Sequence, residues 1–253
     1  MRGELSRVWT MLALAAFAAL VALPGAARPM LGALGSGTKE AFALDRLLDL
    51  AASHVAIAGL AMIPAVVVGI GGAVLVTRSW GRALRPLADS LVAASQAVPP
   101  VVVVALAFPV LGFGAAPTIL ALAIYCVMPV LRGTTAALEA VSRDPAEAAR
   151  AMGLTPGQIL REVELPLALP VIVEALRVAF ILSVATTAVG ALAGAATLGT
   201  PIVIGLQNQN EIYILQGAAA TGALAFLADG LLLGVQALAG RRVAGHAANA
   251  AGT

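Results

Sequence analysis

The sequence predicts an all-α membrane protein with six transmembrane helices, and three observations carry that reading. Hydrophobic residues make up 60% of the 253-residue chain and charged residues only 11%, with a mean hydropathy of +0.98. A soluble domain of average composition carries roughly a quarter charged residues. The apolar residues also gather into runs long enough to cross about 30 Å of hydrocarbon, which takes roughly 20 residues of helix. No stretch shows the alternation over about ten positions that a transmembrane barrel strand requires.

Six segments meet the length requirement: 8–27, 52–76, 88–111, 115–133, 167–194 and 213–239. The third is broken by Pro99-Pro100 and Pro109, and Pro64, Pro129 and Pro170 are expected to kink their helices. Such breaks are tolerated in a membrane where neighbouring helices or a wet cavity satisfy the freed backbone groups. Basic residues fix the orientation. With both termini cytoplasmic, every Lys and Arg lies inside except Arg28, Lys39 and Arg46, which lie outside, and Arg177, which lies within a span. A competing reading makes residues 1–27 a cleavable signal peptide, with Arg2 and Arg7 before an apolar core and small residues at Gly25-Ala26-Ala27.

The segment 194–212 is too polar and glycine-rich for a regular span, and reads as a re-entrant dip or an outer loop. The tail after Arg242 reads as disordered. His54 and His246 read as interfacial or solvent-exposed, and Cys126 is alone in an apolar run. No metal site, disulfide framework or basic run for nucleic acid follows from these residues. The chain carries no phosphate-binding GxxxxGK[ST], no HExxH and no G-x-S-x-G. It has no motif for hydrolysing ATP.

The segment DPAEAARAMGLTPGQILREVELP, residues 144–166, is a charged hairpin set between apolar runs. Asp144, Pro145 and Glu147 suggest an N-cap, a first helical position and an N3 acid. Gly153 supplies the permissive C′ position. Thr155-Pro156-Gly157-Gln158 repeats the capping pattern. Two short capped helices meeting at a glycine corner suit insertion into a groove on a soluble partner.

The pattern Glu147-Ala148-Ala149, Gly153, Val163 and Leu165-Pro166 resembles the EAA loop of permease subunits from bacterial ABC importers. SQAVPPVVVVALAFPVLGFGAAPTILALAIYCVMPVLRGT and MGLTPGQILREVELPLALPVI look like permeases for glycine betaine, choline and carnitine. TRSWGRALRPL and GAATLGTPIVIGLQNQNEIYILQGA are similar to the Yeh/Osm-type osmoprotectant branch. The likeness covers roughly 50–237.

This resemblance implies a type I importer permease (MetI-like) fold in the bacterial cytoplasmic membrane. Residues 1–49 form a first helix and outer loop, 50–237 the type-1 transmembrane domain, and 238–253 a cytoplasmic tail. It implies membrane lipid as surroundings, a second permease subunit (copy or paralogue), ATPase subunits and an extracytoplasmic substrate-binding protein. ATP and Mg belong to the ATPase, and this chain binds no cofactor. Glu147, Ala148, Ala149, Gly153, Leu165 and Pro166 are the expected coupling residues.

Glu174 and Arg177 share a helix face. Arg177 and Asp229 lie on the order of 16 Å into the membrane by helix rise. Ionisable groups at that depth pair or face a cavity, so Arg177 is expected against Glu174, Asp229 or both, as a register-fixing pair or a gate. Gln96, Pro99, Tyr125, Thr197 and Gly199 are the pathway candidates. Gln96 reads equally well as a polar residue satisfied by a neighbouring helix. Phe108, Phe113 and Tyr125 offer π faces for a quaternary ammonium. An ion relay through Glu174, Arg177 or Asp229, as in a secondary carrier, is the competing function.

Overall fold

The computed structural model describes residues 2–23, 25 and 40–250, with side chains over 7–23, 25 and 40–236. Among the described residues every regular element is helical, with no strand. In chain order the α-helices are α1 (Arg2–Ala22), α2 (Leu44–Thr77), α3 (Arg85–Ala97), α4 (Pro100–Leu111), α5 (Ala115–Glu139), α6 (Arg143–Ala151), α7 (Pro156–Ile159), α8 (Leu165–Thr187), α9 (Thr200–Gln207) and α10 (Glu211–Ala250). A π-helical turn, Leu160–Glu164, joins α7 to α8, and a 3₁₀ segment, Ala188–Ala193, follows α8.

Among the described residues four stretches are long and apolar enough to cross a membrane: Leu44–Thr77, Ala115–Glu139, Pro156–Ala193 and Glu211–Gln236. The pair Arg82–Ala97 and Pro100–Leu111 makes a fifth if counted as one interrupted span. The break falls at Val98-Pro99, where the sequence placed it. Apolar helix Arg7–Ala22 is shorter than the roughly 20 residues of a full crossing. On α2 the small residues Ala58, Ala61 and Ala65 are wholly buried, while Leu60, Ile63 and Val67 are more than half exposed. Small residues inside and large apolar ones outside is the arrangement expected of a helix packed in lipid.

The chain divides into two compact units. The first comprises Met1–Ala61, Pro99–Leu122 and Phe180–Thr253. In it α1 packs along α10, and Ile57, Ala61, Leu122 and Ala195 form one core cluster. Wholly buried Gln216 ties three strands of chain together: its Oε1 accepts from the Phe42 N–H at 2.7 Å, and its Nε2 donates to Ala22 O and Phe42 O. Residues 194–212, expected to be an outer loop or a re-entrant dip, form no regular span. They contain the short helix α9, which packs on α10 with Ile202 against Gly217 and Ile214 against Gly205. Apolar Ile202, Val203 and Ile204, with two glycine-made contacts, outweigh the polar residues around them. The tail differs from expectation, since α10 continues through Arg242 to Ala250, an alanine-rich stretch of high helix propensity. The His246 side chain lies outside the described residues.

The second unit comprises Met62–Val98 and Ala123–Ala179. Ala137, Leu138, Ala168 and Ile172 form its cluster, with Ile70, Leu160 and Leu165 packed against them. Gly133 lies against Ala175, so close that any Cβ there would collide with that methyl group. Close helix approach at a small residue substitutes in lipid for the hydrophobic effect that drives packing in water.

Candidate functional site

The hairpin of the second unit is built from local rules. Helix α6 ends with Met152 as C-cap and Gly153 at φ +88°, a left-handed conformation that glycine adopts freely. The Gly153 N–H donates to Arg150 O at 3.0 Å and the Leu154 N–H to Ala149 O at 3.1 Å, the two bonds of a Schellman motif. Two residues on, Thr155 and Gln158 form a reciprocal capping box: Gln158 N–H to Thr155 Oγ1 at 3.4 Å and Thr155 N–H to Gln158 Oε1 at 2.9 Å. Both features were legible in the sequence.

The start of α6 was not. Its N-cap is Ser142 rather than Asp144, with no side-chain capping bond, and Glu147 lies beyond N3 instead of closing a capping box. The first four N–H groups of any helix lack intrahelical partners. Proline therefore fits anywhere in the first turn, and Pro145 did not pin the boundary. The Glu147 and Ala148 side chains are exposed, as is Met152 at the tip. Ala149 is buried.

The second arm is not a separate short helix. α7 passes through the π turn, where Leu165 N–H bonds back to Leu160 O, directly into α8. Leu165 is packed at the edge of the core cluster, and Pro166 is exposed. At the π turn Glu164 forms an ion pair with Arg78, at the foot of α2, with N–O separation 2.6 Å and both side chains mostly buried. Arg85 pairs in a bidentate manner with Glu139 and more loosely with Asp89 at 3.9 Å. One ion pair thus ties the hairpin arm to the foot of α2, and a second ties α3 to α5.

Arg177 meets Glu174, with Nη2–Oε1 at 2.5 Å and Nε–Oε2 at 3.1 Å. Asp229, the other expected partner, lies on α10 in the first unit. Gln96 and Tyr125 come together: the Gln96 amide donates to the Tyr125 carbonyl at 2.9 Å. Pro99 caps α4, its carbonyl accepting from Val102 N–H at 2.9 Å. Phe108 and Phe113 meet at a tilt, with centroids 4.2 Å apart and planes at 58°, in the first unit, and Tyr125 belongs to the second.

Thr197 and Gly199, read as pathway candidates, are buried within the chain. Thr197 Oγ1 accepts from Gly199 N–H at 3.2 Å, and Gly199 lies against Ala188 O, where a Cβ would collide. They belong to a polar knot centred on His54, which is wholly buried rather than interfacial. His54 Nε2 faces Val184 O at 2.8 Å, and Nδ1 accepts from Leu198 N–H at 3.1 Å. Beside it Ser183 Oγ donates to Ala58 O at 3.1 Å. Sequence reasoning missed His54, Ser183 and Gln216 because their partners lie more than a hundred residues away. The only signal was a polar residue within an apolar run.

Apolar helices of spanning length, a proline-interrupted pair and a capped charged hairpin running into a span define a membrane-embedded transport subunit. The chain belongs to the family of binding-protein-dependent transport system inner membrane components, which matches residues 65–245. It is 33% identical over 213 residues to the osmoprotectant import permease protein OsmY of Salmonella typhimurium, covering 84% of this chain and 88% of that one. It is 37% identical over 166 residues to the glycine betaine/carnitine/choline transport system permease protein OpuCD of Bacillus subtilis, covering 65% and 72%. An inward-facing form of the MetNI methionine ABC transporter superposes with a TM-score of 0.63 at 27% identity, over 78% of this chain and 94% of that one. The protein is an ABC importer permease of the inner membrane, a transport subunit and not an enzyme.

Proposed function

We propose that this chain imports a quaternary ammonium osmoprotectant, such as glycine betaine, as one of two permease subunits. The observation that carries the coupling half of the reading is the hairpin. Its first arm exposes Glu147 and Ala148 and its tip Met152, and its second arm is continuous with a span. A push on α6 therefore reaches the membrane through one unbroken helix and the Arg78–Glu164 tie. Docked on an ATPase subunit that binds ATP and Mg, the hairpin would turn nucleotide-driven closure into helix movement. A loaded extracytoplasmic binding protein would then release solute into the opened cavity. The topology of this reading is six spans with cytoplasmic termini: the interrupted α3–α4 pair counts as one span, α1 is the sixth although its apolar part Arg7–Ala22 is short for a crossing, and the basic residues cluster inside. The named substrates of the two permease relatives support the cargo. No observation favours a secondary carrier, since Arg177 is neutralised by Glu174 on its own helix face.

The test is uptake of radiolabelled glycine betaine by cells expressing the complete transporter. The intact hairpin is compared with Glu147→Ala/Gly153→Val at matched membrane levels. Uptake that needs both hairpin and ATPase supports the reading. Uptake indifferent to the hairpin overturns it. Absence of betaine uptake, with ATPase association still lost in the variant, removes the cargo and points to another small solute such as an amino acid.

A further inference from the structure

In the first unit a cavity of about 630 Å³ opens between the start of α2, helix α9 and the start of α10. Its volume lies within the range of small-molecule sites. Unlike the alanine- and leucine-lined groove between α1, α2 and α10, it combines aromatic, charged and amide side chains. Phe42, Arg46, Asp49, Asn208 and Tyr213 line it.

Three features suit it to a ligand carrying both charges. Arg46 and Asp49 stand three residues apart in the first turns of α2, so they share a face. Among the described residues neither is held in an ion pair, although they have opposite charge and helical spacing. The Phe42 and Tyr213 rings meet edge to face, centroids 5.1 Å apart and planes at 81°, which fixes the Tyr213 ring. The wall is also rigid: buried Gln216 holds both backbone groups of Phe42, and Asn210 Nδ2 donates to Glu40 O at 3.1 Å.

We propose that this cavity receives a zwitterionic quaternary ammonium solute on the outer face, Arg46 holding its carboxylate and Asp49 with the Tyr213 ring its trimethylammonium group. A guanidinium pairs with a carboxylate by two parallel hydrogen bonds. A quaternary ammonium cannot donate a hydrogen bond, so it is recognised by a π face and a nearby negative charge. This inference rests on the topology and cargo proposed above. It adds a selective step in the permease itself, after the binding protein.

The test uses proteoliposomes holding the complete transporter at saturating binding protein, with maximal uptake measured for glycine betaine and for choline, which lacks the carboxylate. Arg46→Gln is expected to cut glycine betaine uptake about tenfold or more while leaving choline within about twofold, the loss of one charged hydrogen-bonding partner. Asp49→Asn is expected to cut both. Equal effects of Arg46→Gln on both solutes, or none on either, overturn the site but leave the importer reading standing. A wild-type transporter that moves neither solute removes the cargo and the site with it. If the binding protein admits only one solute, the same variants are read by saturation transfer. The signal runs from nanodisc-held transporter, without binding protein, to the methyl protons of each solute. A betaine signal that survives Arg46→Gln overturns the proposal, and its selective loss supports it.

Discussion

Gln96 Nε2 donates to the carbonyl of Tyr125, 2.9 Å away, and that carbonyl is the one Pro129 leaves without a helical donor. Proline at position i removes the N–H that would bond residue i−4, and Tyr125 stands four residues before Pro129. In hydrocarbon no water replaces the lost bond, so a side chain from α3 does. Gln96→Leu is expected to destabilise the protein by about 1 kcal/mol. The loss should shrink in a Pro129→Ala background, where α5 regains its own donor. Thermal unfolding of the four purified variants in one detergent measures this coupling, and equal losses in both backgrounds would refute it.

The His54 knot fixes a tautomer. Leu198 N–H occupies Nδ1 as a donor and Val184 O faces Nε2 as an acceptor, so the ring is neutral with its proton on Nε2. Imidazole ¹⁵N shifts should report that form. His54→Leu leaves the buried Leu198 N–H without its acceptor, a loss of about 1–3 kcal/mol, visible as a lowered unfolding temperature.

Gly153 is held at φ +88° with no heavy atom close to where a Cβ would stand. The penalty of substitution is therefore conformational and not steric crowding: a left-handed residue with a side chain costs about 1–2 kcal/mol. Gly153→Asn, which tolerates this region, should keep ATPase association and most uptake. Gly153→Val should lose both at unchanged membrane level. Pull-down of the ATPase by each variant separates the two, and normal association of Gly153→Val would refute the corner's role.

Arg78 and Glu164 are about four-fifths buried and 2.6 Å apart. Breaking such a pair leaves a partly buried charge, so Arg78→Glu should cost about 1–3 kcal/mol and slow transport. The exchange Arg78→Glu/Glu164→Arg should recover much of both, as measured by uptake at matched expression. Additive losses in the double variant would show that the two charges act separately.

What the sequence disclosed follows from how local each rule is. Gly153, the Thr155–Gln158 box and the break at Pro99 depend on a few neighbouring residues, and all three stand where the pattern puts them. The start of α6 was misplaced because first-turn positions accept proline equally. His54 was misread as interfacial because burial depends on Val184 and Leu198, which lie 130 and 144 residues away. Thr197 and Gly199 stand in a glycine-rich string, and nothing local in it discloses their contacts with Ala188. The continuity of α7 with α8 was hidden too, since nothing in LREVE signals a widened turn.

That widened turn gives the chain between Ile159 and Leu165 one residue more than a regular helix needs. Removing any one residue of Leu160–Glu164 would let the turn close into ordinary α-helix while both flanks keep their angular phase. A deletion that would scramble every face downstream in a straight helix is here the mildest length change available. Inserting a residue at the same place would swing the hairpin about 100° around the helix axis.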